Sequence, residues 1–365
     1  MKKILIIIVI FVVFFPVKIF AAEPDYDYSE INEITNEYDL DFEAVVNKCI
    51  AGDVKGALSM LWEGVKGELF GELFGQKELL IKIVTIGVIA SVFSNISGAF
   101  VTSNISETSF YLTFTALLGM LVSGYVLIAN IVTETLNRLL ELMEAIVPVY
   151  VLSLSFSTGQ ASATGAYQII AMAIIFVEKI IHMAVLPLVY AYMIAGVMNN
   201  LINGSFLTKA CELLKNIVNW ILKALMSVIV GINVIQGMIT PIVDSLKTSA
   251  LGKAAGMIPG IGNSLSSMSE VILGSGTLIK NSIGMAAMIA IIVLVFSPVL
   301  KSLVMSLAYK VASAILEPVS DKRVINVITA VYESVSMLVK TLLYAVVFFV
   351  LTIAIVCSTT NLNVK

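Results

Sequence analysis

From Ile283 to Leu300 the chain carries no charged side chain, and Phe110–Val132 is another such uncharged apolar run. About 20 apolar residues span a bilayer as a helix. Apolar runs of this length read as membrane-spanning helices. Similar runs occur at Leu79–Val101, with Lys82 near one end, at Ile217–Ile239 and at Leu338–Val356. Ile283–Leu300 continues into Ser302–Leu316, which carries Lys310, and Tyr167–Met198 is interrupted by Glu178, Lys179, His182 and Pro187. The fold class is therefore an all-α polytopic membrane protein, with about six to eight spans expected.

Composition excludes other classes. Of 365 residues 59% are hydrophobic and 13% charged, against roughly 25% charged in soluble domains, so neither a soluble enzyme nor a disordered chain fits. His182 is the sole histidine, and Cys49, Cys211 and Cys357 lie far apart. No ligand cluster for zinc, haem or iron–sulfur is written in such spacing, so no metal and no cofactor is expected. A P-loop is absent, so energy from ATP has to come from a partner. No basic stripe suggests nucleic acid. Intramembrane aspartyl proteolysis needs two membrane aspartates, and Asp244 is the sole Asp between Asp53 and Asp321. Gly262-Asn263-Ser264 is a bare GxS with only His182 to serve it, so enzyme function is not expected.

Charge divides the chain into three parts. Residues 1–22 hold three lysines and no acid, with Lys2 and Lys3 ahead of the apolar Ile4–Phe15 and a small pair at Ala21-Ala22. This is the layout of a signal peptide cleaved after Ala21 or Ala22; the alternative is an uncleaved first helix. Residues 23–78 carry 14 Asp/Glu against four Lys, net −10, and the signal places them outside the cytoplasm. Glu23–Leu40, acidic and without Lys or Arg, is expected to bury no core and to be flexible. Asp53 is a candidate N-cap for an amphipathic helix with Leu58, Leu61, Trp62, Val65, Leu69 and Leu73 on one face. That helix rests on the membrane surface, leading into the first span, or docks on a partner. Residues 79–365, net +4, form the membrane domain. Placing Thr102–Ser109, Asn200–Asn216 and Lys301–Arg323 on the cytoplasmic side gathers six Lys/Arg there, against five on the other side.

Two stretches break the pattern. Leu142–Ser157 is short, apolar and contains Pro148; Ala254–Gly276 holds Pro259, Gly260 and Gly262. Proline and glycine at these points predict two hairpins, re-entrant or interfacial, the alternative being amphipathic surface helices. Pro148 matches Pro259 at an offset of 111, and Tyr192 and Lys223 match Tyr309 and Lys340 at an offset of 117. These pairs suggest an internal duplication of 110–200 and 217–317, followed by a final span at 338–356. Parallel copies follow if Tyr167–Met198 crosses once, inverted copies if it crosses twice.

Ionisable residues inside spans are the candidate functional groups. Glu178 and His182 share a helix face at i, i+4, with Lys179 beside them. They could line a polar pathway; a salt bridge or a helix end reaching interfacial water is the structural alternative. Lys223 and Lys340 are expected to snorkel, Glu333 to lie at the interface before the last span, and Asn219, Asn233 and Gln236 to bond between helices.

The order of these features, with LGKAAGMIPGIGNSLSSMSEVILGSGTLIKNSIG from Leu251 to Gly284, resembles the stage III sporulation protein AE family of endospore-forming bacteria. The resemblance covers essentially the whole chain and supplies no active-site residues. It implies a multi-pass protein of the mother-cell membrane around the forespore. The partners it implies are its operon companions, among them a secretion-type ATPase, and a forespore membrane protein met between the two membranes. The implied role is a transenvelope channel or feeding conduit that supports forespore development. The alternative from another class is a stand-alone transporter or permease for a small solute.

Overall fold

The computed structural model describes residues 26–62, most of 81–92, 104–158, 160–201, 206–231 except 229, 262–318 and 320–359. The expected signal segment, Val65, Leu69 and Leu73 of the amphipathic face, Asn233 and Gln236, Pro259 and Gly260 lie outside the described residues. Among the described residues all regular structure is helical. Two short helices come first, α1 (Ser29–Asn36) and α2 (Phe42–Ile50). The long elements are α3 (Asn104–Thr158), α4 (Gln160–Ile180), a π-helical segment (Ile181–Val185), α5 (Leu186–Leu201), α6 (208–228), α7 (Gly262–Leu316) and α8 (Lys322–Thr359).

Among the described residues four stretches are long and apolar enough to cross a membrane: Tyr111–Ser155, Ile170–Asn200, Gly274–Leu316 and Lys322–Ala354. Expected separate pieces fuse in them. Phe110–Val132 and the hairpin expected at Leu142–Ser157 are two parts of α3, which has 55 residues and so rises about 80 Å. Pro148 does not break it. Proline costs one hydrogen bond, and the buried neighbours Leu142, Met143, Ala145, Ile146 and Tyr150 hold the helix through that point. The second expected hairpin is likewise helical from Gly262 onward, as the first turns of α7. Tyr167–Met198 is one unbroken helical run through α4, the π segment and α5.

The helices form an antiparallel bundle. Gly124 and Tyr150 of α3 face Tyr309 and Gly284 of α7, so the two run in opposite directions. Tyr150 also meets Cys357, setting α8 parallel to α3. Gly196 on α5 abuts Ala330 on α8, an antiparallel crossing of small residues. α7 and α8 are the most enclosed, with 61% of their apolar windows buried against 39% for α3 and for α4–α5. One end of the bundle gathers the start of α3, the α5–α6 turn and the α7–α8 turn. Arg323 there lies over the Tyr111 ring at 5.8 Å, and Asn199 bonds Thr208 at 3.1 Å. Of the stretches assigned to one side of the membrane, the α7–α8 turn lies at this end, whereas Lys301 is well inside α7. The positions paired as a duplication do not share surroundings: Tyr192 bonds a carboxylate on α8, whereas Tyr309 lies against Gly124 on α3.

The segment Glu23–Leu40, expected to bury no core, does bury apolar side chains among its described residues: Tyr28, Ile31 and Leu40 are enclosed. Phe42, Val45, Val46 and Cys49 recur at i, i+3, i+4 and i+7 along α2 and are all buried. Asp41 caps α2 by accepting from the Ala44 N–H at 3.0 Å, and Asn32 of α1 accepts from the Phe42 N–H at 2.9 Å. Asp53 caps the next helical stretch, 54–62, through the Gly56 N–H at 2.9 Å. α2 packs on α7, with the Cys49 thiol 3.5 Å from the Met285 sulfur. α1 rests on α3, where Arg138 reaches Glu37 at 3.2 Å. The core missing from this region is supplied by the bundle.

Burial, with a smaller push from Asp53, drives the Cys49 thiol up to about 12. A thiol with a raised value stabilises docking below its ordinary value near 9 and loses that contribution as pH climbs toward 12. At pH 8 Cys49 should resist maleimide. Phe42→Ala removes a fully buried ring, costs about 3–5 kcal/mol of docking, and should make Cys49 reactive. Unchanged labelling in that variant would show that α2 does not depend on this contact.

Candidate functional site: a carboxylate shared by three helices

The expected trio is only loosely a site. Glu178 and Lys179 close α4, and His182 lies in the π-helical segment. Glu178 and His182 are half-buried and Lys179 is exposed. None of the three makes an ion pair or side-chain hydrogen bond with another described residue. The π segment has a local cause. Pro187 cannot donate, and the ladder shifts so that the Leu186 N–H reaches the Ile181 carbonyl.

The densest polar contact is elsewhere. Glu333 lies on α8, 11 residues in from Lys322, inside an apolar stretch rather than at its edge. One carboxylate oxygen accepts from Lys215 of α6 at 2.9 Å. The other accepts from the Tyr192 hydroxyl of α5. A single anion therefore joins three helices. Its partners are charge-assisted donors, individually worth about 1.5–3 kcal/mol when well enclosed. With side chains 38% and 32% exposed, Lys215 and Glu333 sit below that range. The α5–α6 turn is closed by Asn199, whose side chain accepts from the Leu207 N–H at 2.7 Å.

A second polar node is fully enclosed. Lys280 of α7 has no exposed surface. Its ammonium donates to the Cys357 carbonyl at 3.3 Å. That carbonyl stands in the last turn of α8, where backbone acceptors lack helical partners. A cation there also meets the negative end of the helix dipole. Tyr150 of α3 donates to the Cys357 sulfur at 3.3 Å. Lys280 is thus a C-terminal cap for α8 supplied by a neighbouring helix.

A charged cleft of about 310 Å³ lies between α1 and α3, lined by Glu30, Glu33, Glu37, Arg138, Glu141 and Glu144. Arg138 pairs there with Glu37 and with Glu141 at 3.6 Å. Among the described residues no three His, Cys, Asp or Glu side chains converge as metal ligands would. Lys223 and Lys340, expected to snorkel, are exposed, and Asn219 bonds the Lys215 carbonyl in its own helix at 2.8 Å instead of bridging helices. Sequence reading passed over Lys280 and placed Glu333 at an interface. The available signal for Glu333 was the unbroken helical pattern from Lys322, which moves the residue inward.

The profile of the family described as stage III sporulation protein AE matches residues 40–360. The stage III sporulation protein AE of Bacillus subtilis (strain 168) is 22% identical over 296 residues, covering 81% of this chain and 74% of that protein. No solved structure matches.

Proposed function

The chain belongs to the stage III sporulation protein AE family, and from that membership we propose that it is a membrane subunit of a transenvelope complex linking mother cell and forespore. It is a sporulation-related, multi-pass membrane protein, with four helices of spanning length and apolarity among the described residues. The match over 40–360 is the observation that carries the proposal, since it takes in α2, all four candidate spans and the polar nodes. In this reading the protein sits in the mother-cell membrane, residues 23–78 face the space between the membranes, and the subunit is not an enzyme. A secretion-type ATPase supplies energy and a forespore membrane protein meets the complex from the other side.

Two features support the reading. The chain has no nucleotide-binding loop of its own. Its N-terminal acids are displayed on a folded module: Asp27, Glu30, Glu33, Glu37, Asp39, Asp41 and Glu43 are all exposed, while the module's apolar face is used up on α3 and α7. A module held this way presents its charge outward to other proteins.

Purification of the tagged protein from sporulating cells in mild detergent should bring down other membrane proteins and an ATPase. Reversing Glu30, Glu33 and Asp39 to lysine should deplete those partners and lower spore yield, with insertion unchanged. If the protein purifies alone and moves a solute in liposomes, it is a stand-alone permease and the proposal fails.

A further inference from the structure

We propose that α5 and α6 form a movable hairpin, hinged at the π-helical segment and latched to α8 by Glu333. Three observations at different heights carry it. The hinge is Ile181–Val185, with Pro187 two residues beyond it, where the α-helical hydrogen-bond ladder is already interrupted. Beside it lies a cavity of only about 10 Å³, lined by Val177 and Ile181, Leu222 and Leu225 of α6, and Ala345 and Phe348 of α8. The pivot therefore lies where the π-helical segment meets α6 and α8.

The latch is the second observation. Glu333 accepts from both arms of the hairpin, Tyr192 on α5 and Lys215 on α6. Cys211 of α6 and Lys340 of α8 are the other charged or titratable groups that face this cluster. Because Asn199 ties α5 to the start of α6 through Leu207 and Thr208, the arms move together. One carboxylate therefore holds the whole unit.

The third observation is the contact surface itself. One turn from the latch, Gly196 meets Ala330, with a β-carbon at Gly196 lying 3.0 Å from that of Ala330. Small residues let α5 and α8 approach closely here, so this is the point at which a crosslink can lock the latched state. On its outer side α6 is uncovered, with Trp220 71% and Leu213 59% exposed. Among the described residues none covers it from that side. Neutralising Glu333, or drawing Lys215 to another anion, frees the hairpin; both leave the α3–α7–α8 core intact.

Cys211, half-buried on α6 one turn before Lys215, is a native reporter. Cys49 and Cys357 are buried and report on the rest. The full-length protein in native membranes is treated with a membrane-permeant maleimide, and labelling is read at each cysteine by peptide mass spectrometry. Glu333→Gln should raise the Cys211 rate about tenfold or more, as loss of a charge-assisted contact raises local opening. Cys49 and Cys357 should stay unlabelled. Adding Gly196→Cys and Ala330→Cys and oxidising that pair should return Cys211 to the parental rate. Lys215→Met carries the same test if Glu333→Gln does not accumulate. The proposal is overturned by an unchanged Cys211 rate, by all cysteines rising together, by a high rate that survives the Gly196–Ala330 crosslink, or by failure of both variants to accumulate.

Discussion

Replacing Lys280 with glutamate should eliminate the folded protein. Lys280 is wholly enclosed, among Ile279, Ser282, Ile283 and the end of α8. Its ammonium donates to the Cys357 carbonyl. A carboxylate at that point has nothing to donate. It faces a helix C-terminus, already the negative pole of the dipole, from inside the bundle. Removing the donor takes this bond from the carbonyl, and the new anion is buried beside the negative end of α8. Leaving a buried charge uncompensated costs about 3–5 kcal/mol, against a total stability of about 5–15 kcal/mol for a folded domain. Lys280→Met separates the two causes. It keeps the length of the side chain and removes both the charge and its desolvation cost, so it should fall within about 1–2 kcal/mol of the parent. Accumulation in membranes and thermal unfolding in detergent would read both variants. If Lys280→Glu accumulates and melts like the parent, Lys280 does not cap α8.

The contrast between Lys280 and the trio at Glu178, Lys179 and His182 shows where sequence reading reaches its limit. Membrane class, helical architecture and most of the spanning stretches follow from apolar runs alone, because hydropathy depends on a residue's own chemistry. Polar sites depend on what faces a residue. Glu178 and His182 share a helix, so their spacing was visible, yet neither meets a described polar partner. Glu333 draws its donors from residues 118 and 141 positions away, and no local pattern contains that. Lys280 was obscured by its setting, since the Gly/Ser-rich approach to it reads as loop while the chain there is α7. Pro148 misled for a related reason: it carries a local cost, and the packing that offsets it lies on other helices. At the N-terminus the signal was present and unused. Phe42, Val45, Val46 and Cys49 spell a helical face, but a stretch with seven acids and no base from Asp27 to Glu43 reads as solvated unless its docking partner is known.

Gly124→Ala should destabilise the protein although it improves helix propensity, and Tyr309→Phe should cancel the effect. A β-carbon at Gly124 would overlap the Tyr309 hydroxyl and lie 3.0 Å from the Met305 methyl. The Tyr309 ring is fully buried, so it cannot turn aside without disturbing α7 and α3 together. Overpacking of this kind costs about 1–3 kcal/mol. The gain from replacing a helical glycine is at most about 1 kcal/mol. Gly119, one and a half turns earlier on α3, has no atom of the described residues within 4 Å of such a β-carbon, so Gly119→Ala should show the propensity gain alone. The Tyr309 hydroxyl has no hydrogen-bond partner among the described residues. Deleting it therefore removes a desolvated group rather than an interaction, and Tyr309→Phe should be neutral or stabilising. In the double variant the methyl occupies the space the hydroxyl leaves, giving a coupling of about 1 kcal/mol or more in a double-mutant cycle. Unfolding in detergent measures all four proteins, and the crossing is misassigned if Gly124→Ala is as benign as Gly119→Ala. What holds α3 against α7 at this point is then the absence of a side chain. The crossing is set by size, whereas those at Glu333 and Lys280 are set by charge. A substitution that conserves polarity is for that reason expected to be tolerated at Tyr309 least of all, and one that conserves volume while losing the hydroxyl best.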